Sequence, residues 1–87
     1  MISNDEPSKA CAFVLLNVEV GLEEEMLHEL KDIPEVKEAY LVHGVYDIIA
    51  RVDSDTMSNL KDAISRKIRK LENVRSTLTM MVINVRG

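Results

Sequence analysis

Tryptophan is absent from this chain, and Phe13, Tyr40 and Tyr46 are its only aromatic residues. A surface that stacks nucleobases on aromatic rings has almost nothing to be built from. Cys11 is the single cysteine, so no intrachain disulfide and no cysteine-rich zinc site can form. A lone thiol also fits a reducing compartment. No apolar run approaches the roughly 18 residues of a membrane span, and no membrane partner is expected. The opening stretch MISNDEPSKA is polar and partly acidic, unlike a secretory signal, so a cytoplasmic location is expected. Lys and Arg number 11 against 15 Asp and Glu, giving a net charge of -4. With no basic tail, phosphate-driven binding of DNA or RNA gains no support.

What is present points to one small domain. A chain of 87 residues buries only about 60% of the surface its unfolded form exposes, so its core is thin. Further burial through self-association is the expected remedy. Residues 1–9 have no apolar rhythm and read as a flexible N-terminal arm. Residues 10–87 form the single domain.

The first strand runs from Ala10 to Val20. Ala12, Val14, Leu16, Val18 and Val20 make one apolar face at period two. The other face starts apolar with Cys11, Phe13 and Leu15, then turns polar at Asn17 and Glu19. A strand apolar on both faces needs cover on both sides. Beyond Gly21, Leu22, Met26, Leu27, Leu30 and Ile33 recur at helical spacing, with Glu23, Glu24, Glu25 and Glu29 opposite. The glutamates of the first turn suit the positive end of the helix macrodipole, and Pro34 ends the helix. Val36–His43 and Tyr46–Asp53 read as two strands joined at a tight Gly44-Val45 turn, where glycine tolerates positive φ. Ser54 or Asp55 is placed to cap a second helix carrying Met57, Leu60, Ile64, Ile68 and Leu71 on one side. Val74–Val85 closes the chain as a strand.

The order βαββαβ, with right-handed crossovers, predicts an α+β, ferredoxin-like sandwich: a four-stranded antiparallel sheet with two helices on one face. Strand parity assigns Phe13, Leu15, Ile49, Met81 and Ile83 to the uncovered face, opposite Val14, Leu16, Ile48 and Val82. An apolar patch of that kind marks an association surface, so a symmetric dimer packed sheet to sheet is expected.

The chemistry-bearing residues are sparse. His28 falls on the polar side of the first helix and reads as a solvated surface group. His43 ends a strand beside the turn, placed to line a pocket. The two histidines lack the local spacing of metal motifs, and no nucleophile triad or phosphate-cradling loop is present. No metal, cofactor or catalytic group is expected. The second helix gathers Lys61, Arg66, Lys67, Arg69 and Lys70 against only Asp62. Pairing with the acidic first helix accounts for that cluster without a partner.

Asp47 is the residue least easily explained by packing. It shares the parity of Ile49, on the open face or its rim, where an unpaired carboxylate is costly. Either it accepts hydrogen bonds from turn amides, or it receives a ligand ammonium while Gly44 lets another molecule approach the backbone. Thr77 and Thr79 are assigned to the face of Met81 and hence of Asp47. A carboxylate, free amides and hydroxyls at one rim suit a zwitterion.

The segments AFVLLNVEVG, IPEVKEAYLVHGVYDIIARV and NVRSTLTMMVI, in this order, resemble the effector-binding (RAM) domain of the leucine-responsive/AsnC family of transcriptional regulators. The likeness covers Ala12 to Ile83, and its most specific piece is the G-x-Y-D element, Gly44 to Asp47. It implies a ferredoxin-like fold that dimerises through its sheets, assembly of dimers into rings, and a small effector, typically an amino acid, held between dimers. Gly44, Tyr46 and Asp47 match the turn that contacts the effector, and Thr77 and Thr79 match the hydroxyl-bearing strand. Leu41 and His43 fall where members vary side chains to select a ligand, and His43 stands where a small hydroxyl residue is common. Full-length members carry an N-terminal helix-turn-helix domain, whereas only residues 1–9 precede the first strand. The expectation is a stand-alone sensing and oligomerisation module that reads no operator itself and is able to co-assemble with a full-length regulator. The alternative is a small dimeric α/β-barrel enzyme with His43 or Asp47 moving a proton in a pocket on the sheet.

Overall fold

The computed structural model describes residues 9–83; the predicted arm, Lys9 apart, and the end of the predicted last strand lie outside the described residues. The elements are β1 (Ala10–Val18), α1 (Glu23–Lys31), β2 (Val36–Leu41), β3 (Ile48–Ser54), α2 (Met57–Ala63) with a π-helical turn Ile64–Ile68, and β4 (Val74–Met81). The strands form one antiparallel sheet in the order β2-β3-β1-β4, the βαββαβ sandwich expected.

β1 lies in the middle, and its burial alternates along its whole length. Ala12, Val14, Leu16 and Val18 face the helices and are buried, together with Ile48, Ala50 and Val52 of β3. Met26 and Leu30 of α1 and Leu60, Ile64 and Ile68 of α2 close over them. Met57 is mostly outside this core, at 39% exposure, because it starts the helix beyond the sheet.

Several boundaries differ from the periodicity. β1 stops at Val18, and Val20 is exposed, because Glu19 to Leu22 form a turn with Leu22 N–H donating to the Glu19 carbonyl at 3.0 Å. Gly21 has φ +90 there, a conformation that disfavours any Cβ. The β2–β3 connection is longer than a tight hairpin. β2 ends at Leu41, β3 begins at Ile48, and the Val42 amide donates to the Asp47 carbonyl at 2.9 Å. Gly44 does not take a positive φ, so the turn does not require glycine for conformation. Thr56, rather than Ser54 or Asp55, caps α2, its hydroxyl accepting from the Asn59 amide at 3.0 Å. At the end of α2 the Arg69 amide donates to the Ile64 carbonyl, five residues back, which widens the helix by one residue.

The parity of β4 is opposite to the expectation. Register pairs Met81 with Ala12, Thr79 with Val14 and Thr77 with Leu16, so these side chains stand on the helix side. Leu78 and Met80 pair with Leu15 and Phe13 and lie on the open face, while Ile83 belongs with the helix side and is exposed. Both parities of TLTMMVI are apolar, so period two alone could not choose between them. The helix pairing also differs. Lys67 binds Glu35, in the turn after α1, at 3.0 Å, and Arg66 binds Asp62 one turn back at 2.8 Å. Among the described residues no ion pair joins α1 to α2.

The open face is divided. Phe13, Leu15 and Ile49 are half-buried, and Leu78 and Met80 are 45% and 47% exposed. Beside this apolar half stands an ionic corner that the sequence reading missed. Arg51 grips Glu38 at 2.8 Å and Asp53 at 3.0 Å, and the Tyr40 hydroxyl donates to Glu38 at 2.9 Å. Arg51 Nε and Asp53 Oδ1 are shut off from solvent without a partner. Cys11 pairs across the ladder with Asp53. Burial, and then the neighbouring Asp53 carboxylate, push its thiol up from 9.0 to about 11.

Two outcomes follow. Leu30→Ala, in the fully buried core, is expected to cost about 2–5 kcal/mol in urea unfolding. At pH 8 the native Cys11 thiol should alkylate at least roughly tenfold slower than in the unfolded chain, because the thiolate is the reactive form. Because its folded pKa is raised, the thiol favours the fold below pH 9.0, and that contribution is lost as pH rises through about 11. Equal rates in the folded and unfolded chain would refute the half-buried placement of the thiol beside Asp53.

Candidate functional site

The end of β1 is where the sheet's regular pairing stops. The β1–β4 register shifts between Asn17 and Val18, and the β2–β3 connection arrives on the other side. Asp47 joins the two. Its amide donates to the Leu16 carbonyl at 2.9 Å, and its Oδ2 accepts from the Val18 amide at 3.0 Å. The carboxylate thus satisfies an amide of the neighbouring strand, rather than one in its own turn.

Around this clamp lies a cleft of about 450 Å³ lined by Asn17, Val18, Val20, Glu23, Asp47, Arg75 and Ser76. Asn17, Asp47 and Ser76 occupy one row across the open-face rim, and the Asn17 amide donates to the Ser76 hydroxyl at 3.3 Å. Glu23 accepts from the Gly21 amide at 3.1 Å, which holds the start of α1 beside the row. The cleft therefore gathers two carboxylates, a guanidinium, an amide and a hydroxyl in one lining. Two valines give it an apolar wall. Such a set can hold a small molecule bearing both an ammonium and a carboxylate, with charge-assisted bonds at each end.

Of the residues singled out from sequence, only Asp47 lines this cleft. Leu41, His43, Gly44 and Tyr46 lie in or beside the 42–47 connection, the first three exposed and Tyr46 half-buried. A Cβ added at Gly44 would meet nothing within 4 Å, so the protomer itself does not need glycine there. Thr77 and Thr79 do not share the face of Asp47. They stand on the helix side of β4, and Thr79 lines a separate groove with Lys61, Ile64, Ser65, Arg69 and Met81. The hydroxyl that does reach the Asp47 row is Ser76, one residue before Thr77. Arg75, the cationic half of the cleft, had no signal in the sequence: a lone arginine at the start of a strand reads as a solvated charge.

Comparison with known proteins shows the family. Residues 11–86 match the family described as the Lrp/AsnC ligand binding domain. The chain is 31% identical over 77 residues to the HTH-type transcriptional regulator FL11 of Pyrococcus furiosus, an overlap of 85% of this chain and 48% of that protein. It spans about half the length of the curated relatives it matches. Among solved structures, FFRP-DM1 is 43% identical with a TM-score of 0.82, over 85% of this chain and 99% of that one. The complex of a transcriptional regulator from Neisseria meningitidis with L-Met has a TM-score of 0.74 at 15% identity, over 87% of this chain and 51% of that one, a likeness of fold alone. With most of its length matching that domain, the chain belongs to the Lrp/AsnC ligand binding domain family of transcriptional regulation.

Proposed function

We propose that this chain is an amino-acid-sensing and assembly module, non-enzymatic and cytoplasmic, which modulates transcription by binding a small effector at the Asp47 cleft. The observation that carries the reading is one cleft whose lining brings the carboxylates of Asp47 and Glu23 together with the guanidinium of Arg75. Asp47, with Oδ1 not engaged by Val18, takes the effector's ammonium. Arg75 takes its carboxylate, with Asn17 and Ser76 in support, and Val18 and Val20 border its side chain. The L-Met complex of the Neisseria regulator is in keeping with such a ligand, although that likeness bears on fold alone.

Two copies pair through their open sheet faces, covering Phe13, Leu15, Ile49, Leu78 and Met80. The cleft remains at the rim of that pair. Leu41, His43, Gly44 and Tyr46 project beside it, where a neighbouring dimer completes the site and tunes its selectivity. Thr77 and Thr79, on the helix side, act in the site only through such a neighbour. A ligand that binds between dimers favours the assembly that completes its site, which couples effector level to oligomeric state. A full-length regulator of the family is a partner through the same surfaces. The enzyme alternative needs a pocket enclosed on the sheet within one dimer; the cleft described here opens at the rim instead.

Asp47→Ala is not a clean test, since it also strands the Val18 amide, at about 1–3 kcal/mol. Asp47→Asn keeps an acceptor oxygen and removes the charge. Calorimetry across the common amino acids should find a ligand for the wild type. Asp47→Asn and Arg75→Gln should each weaken it by roughly tenfold to a hundredfold, with the melting temperature of the free protein little changed. Wild-type affinity in both variants would remove the cleft from the role.

A further inference from the structure

The two edges of the sheet are not alike. β2, at one edge, is six residues long, carries Lys37 and Glu38, and has a register shift between Val36 and Glu38. Short length, charge and irregularity are what keep an edge strand from pairing further. β4, at the other edge, is eight residues long, and its pairing with β1 is regular from Ser76 to Met81. Its one charge, Arg75, sits near its start, and it has no proline.

The Val82 amide donates to the Cys11 carbonyl at 2.9 Å, directly across the ladder. In an antiparallel pair alternate residues turn their backbone groups to the partner strand. Ser76, Leu78, Met80 and Val82 therefore point to β1, and Thr77, Thr79 and Met81 point their N–H and C=O groups away from the sheet. Among the described residues no backbone group bonds these three on that side.

The surroundings of this edge differ from one face to the other. On the helix side a groove of about 290 Å³ carries Lys61, Ser65, Arg69 and Thr79 around a floor of Ile64 and Met81. No carboxylate lines it, whereas Asp47 and Glu23 line the cleft at the β1 end and Glu35, Asp53 and Asp55 line a hollow at the opposite end. Lys61 and Arg69 form no ion pair among the described residues. Arg69 follows the π-helical turn as its C-cap and lines the groove. On the other side of the same edge stand the half-exposed Leu78 and Met80.

We infer that the open edge of β4 is a docking site for an extended segment of a partner protein whose residues alternate acidic and apolar. Added as a fifth strand, the segment pairs its backbone with Thr77, Thr79 and Met81. Strand geometry then sends successive side chains to opposite faces. Acidic residues meet Lys61 and Arg69, and apolar residues lie beside Leu78 and Met80. In a sheet-to-sheet dimer those apolar residues lengthen the covered face. A second copy of β4 fits poorly: Val74–Met81 holds no acidic residue, and edge-to-edge pairing would bring two cationic grooves together. This docking site is separate from the Asp47 cleft.

The test is amide NMR and hydrogen exchange on the full chain with short capped peptides. One peptide alternates glutamate and valine, a second has lysine for glutamate, and a third is the glutamate peptide N-methylated on the amides that would face β4. The glutamate peptide should protect the amides of Thr77, Thr79 and Met81 and bind at least roughly tenfold tighter than the lysine peptide. N-methylation should abolish binding, and the surface double variant Lys61→Glu/Arg69→Glu should invert the preference between the charged peptides. Equal binding of both charged peptides, no binding of any, or loss of preference without edge protection overturns the proposal. So does equal binding of the N-methylated peptide with the same shifts produced by glutarate, which would leave a simple anion groove.

Discussion

The structure depends on a central strand that is apolar on both sides. β1 sits between β3 and β4, with Ala12, Val14, Leu16 and Val18 turned to the helices and Phe13 and Leu15 turned away. The helices among the described residues cover one of those faces. The proposed functional surfaces all lie where that covering stops: the open face itself, the rim where β1 ends, and the edge of β4. A larger domain would add a second layer; here the proposed second layer is another copy of the same sheet.

At the rim a structural device stands where the effector site is proposed. Asp47 is where it is because Val18, at the point where the register of β1 slips, has an amide to satisfy. A half-buried carboxylate in that role fixes backbone geometry and presents a charge at the same time. One oxygen on Val18 leaves the other for the proposed recognition, and Arg75 and Ser76 reach the same cleft because β4 pairs with the same end of β1. The ionic corner of Arg51, Glu38 and Asp53 is a comparable case on the open face. It carries two acidic groups to one basic, and buried Arg51 Nε and Asp53 Oδ1 atoms without partners. Such a group constrains what can lie on that side of the sheet, since an apolar surface alone would leave those atoms unsatisfied.

Much of the fold was legible in the sequence because strong patterns leave little choice. The alternation of β1, the 3.6-residue spacing of Met26 and Leu30, and the breaks at Gly21 and Pro34 each have one reading. The Asp47 position was legible for a chemical reason, a carboxylate among Tyr46, Ile48 and Ile49. What stayed hidden were quantities that period and composition do not carry. The parity of β4 depends on its register against β1, and TLTMMVI is compatible with either. That one ambiguity moved Thr77 and Thr79 to the wrong face and concealed Ser76. Arg75 became part of the cleft only through long-range pairing of β4 with β1, and the Arg51 corner only through neighbouring strands. The length of the β2–β3 connection was hidden because Val42 and Tyr46 are as strand-like as the residues beside them.

The central claim, that the open face is covered by a second copy, is tested most directly by sedimentation equilibrium of the purified chain beside its Leu15→Arg variant. Leu15 is half-buried in the middle of the open face and points away from the core. The wild type should sediment as a dimer or a multiple of dimers down to micromolar concentration. Leu15→Arg should fall to monomer while keeping its circular dichroism spectrum. A wild type that stays monomeric at about 100 μM, where any dimer tighter than micromolar would be fully formed, would contradict the account.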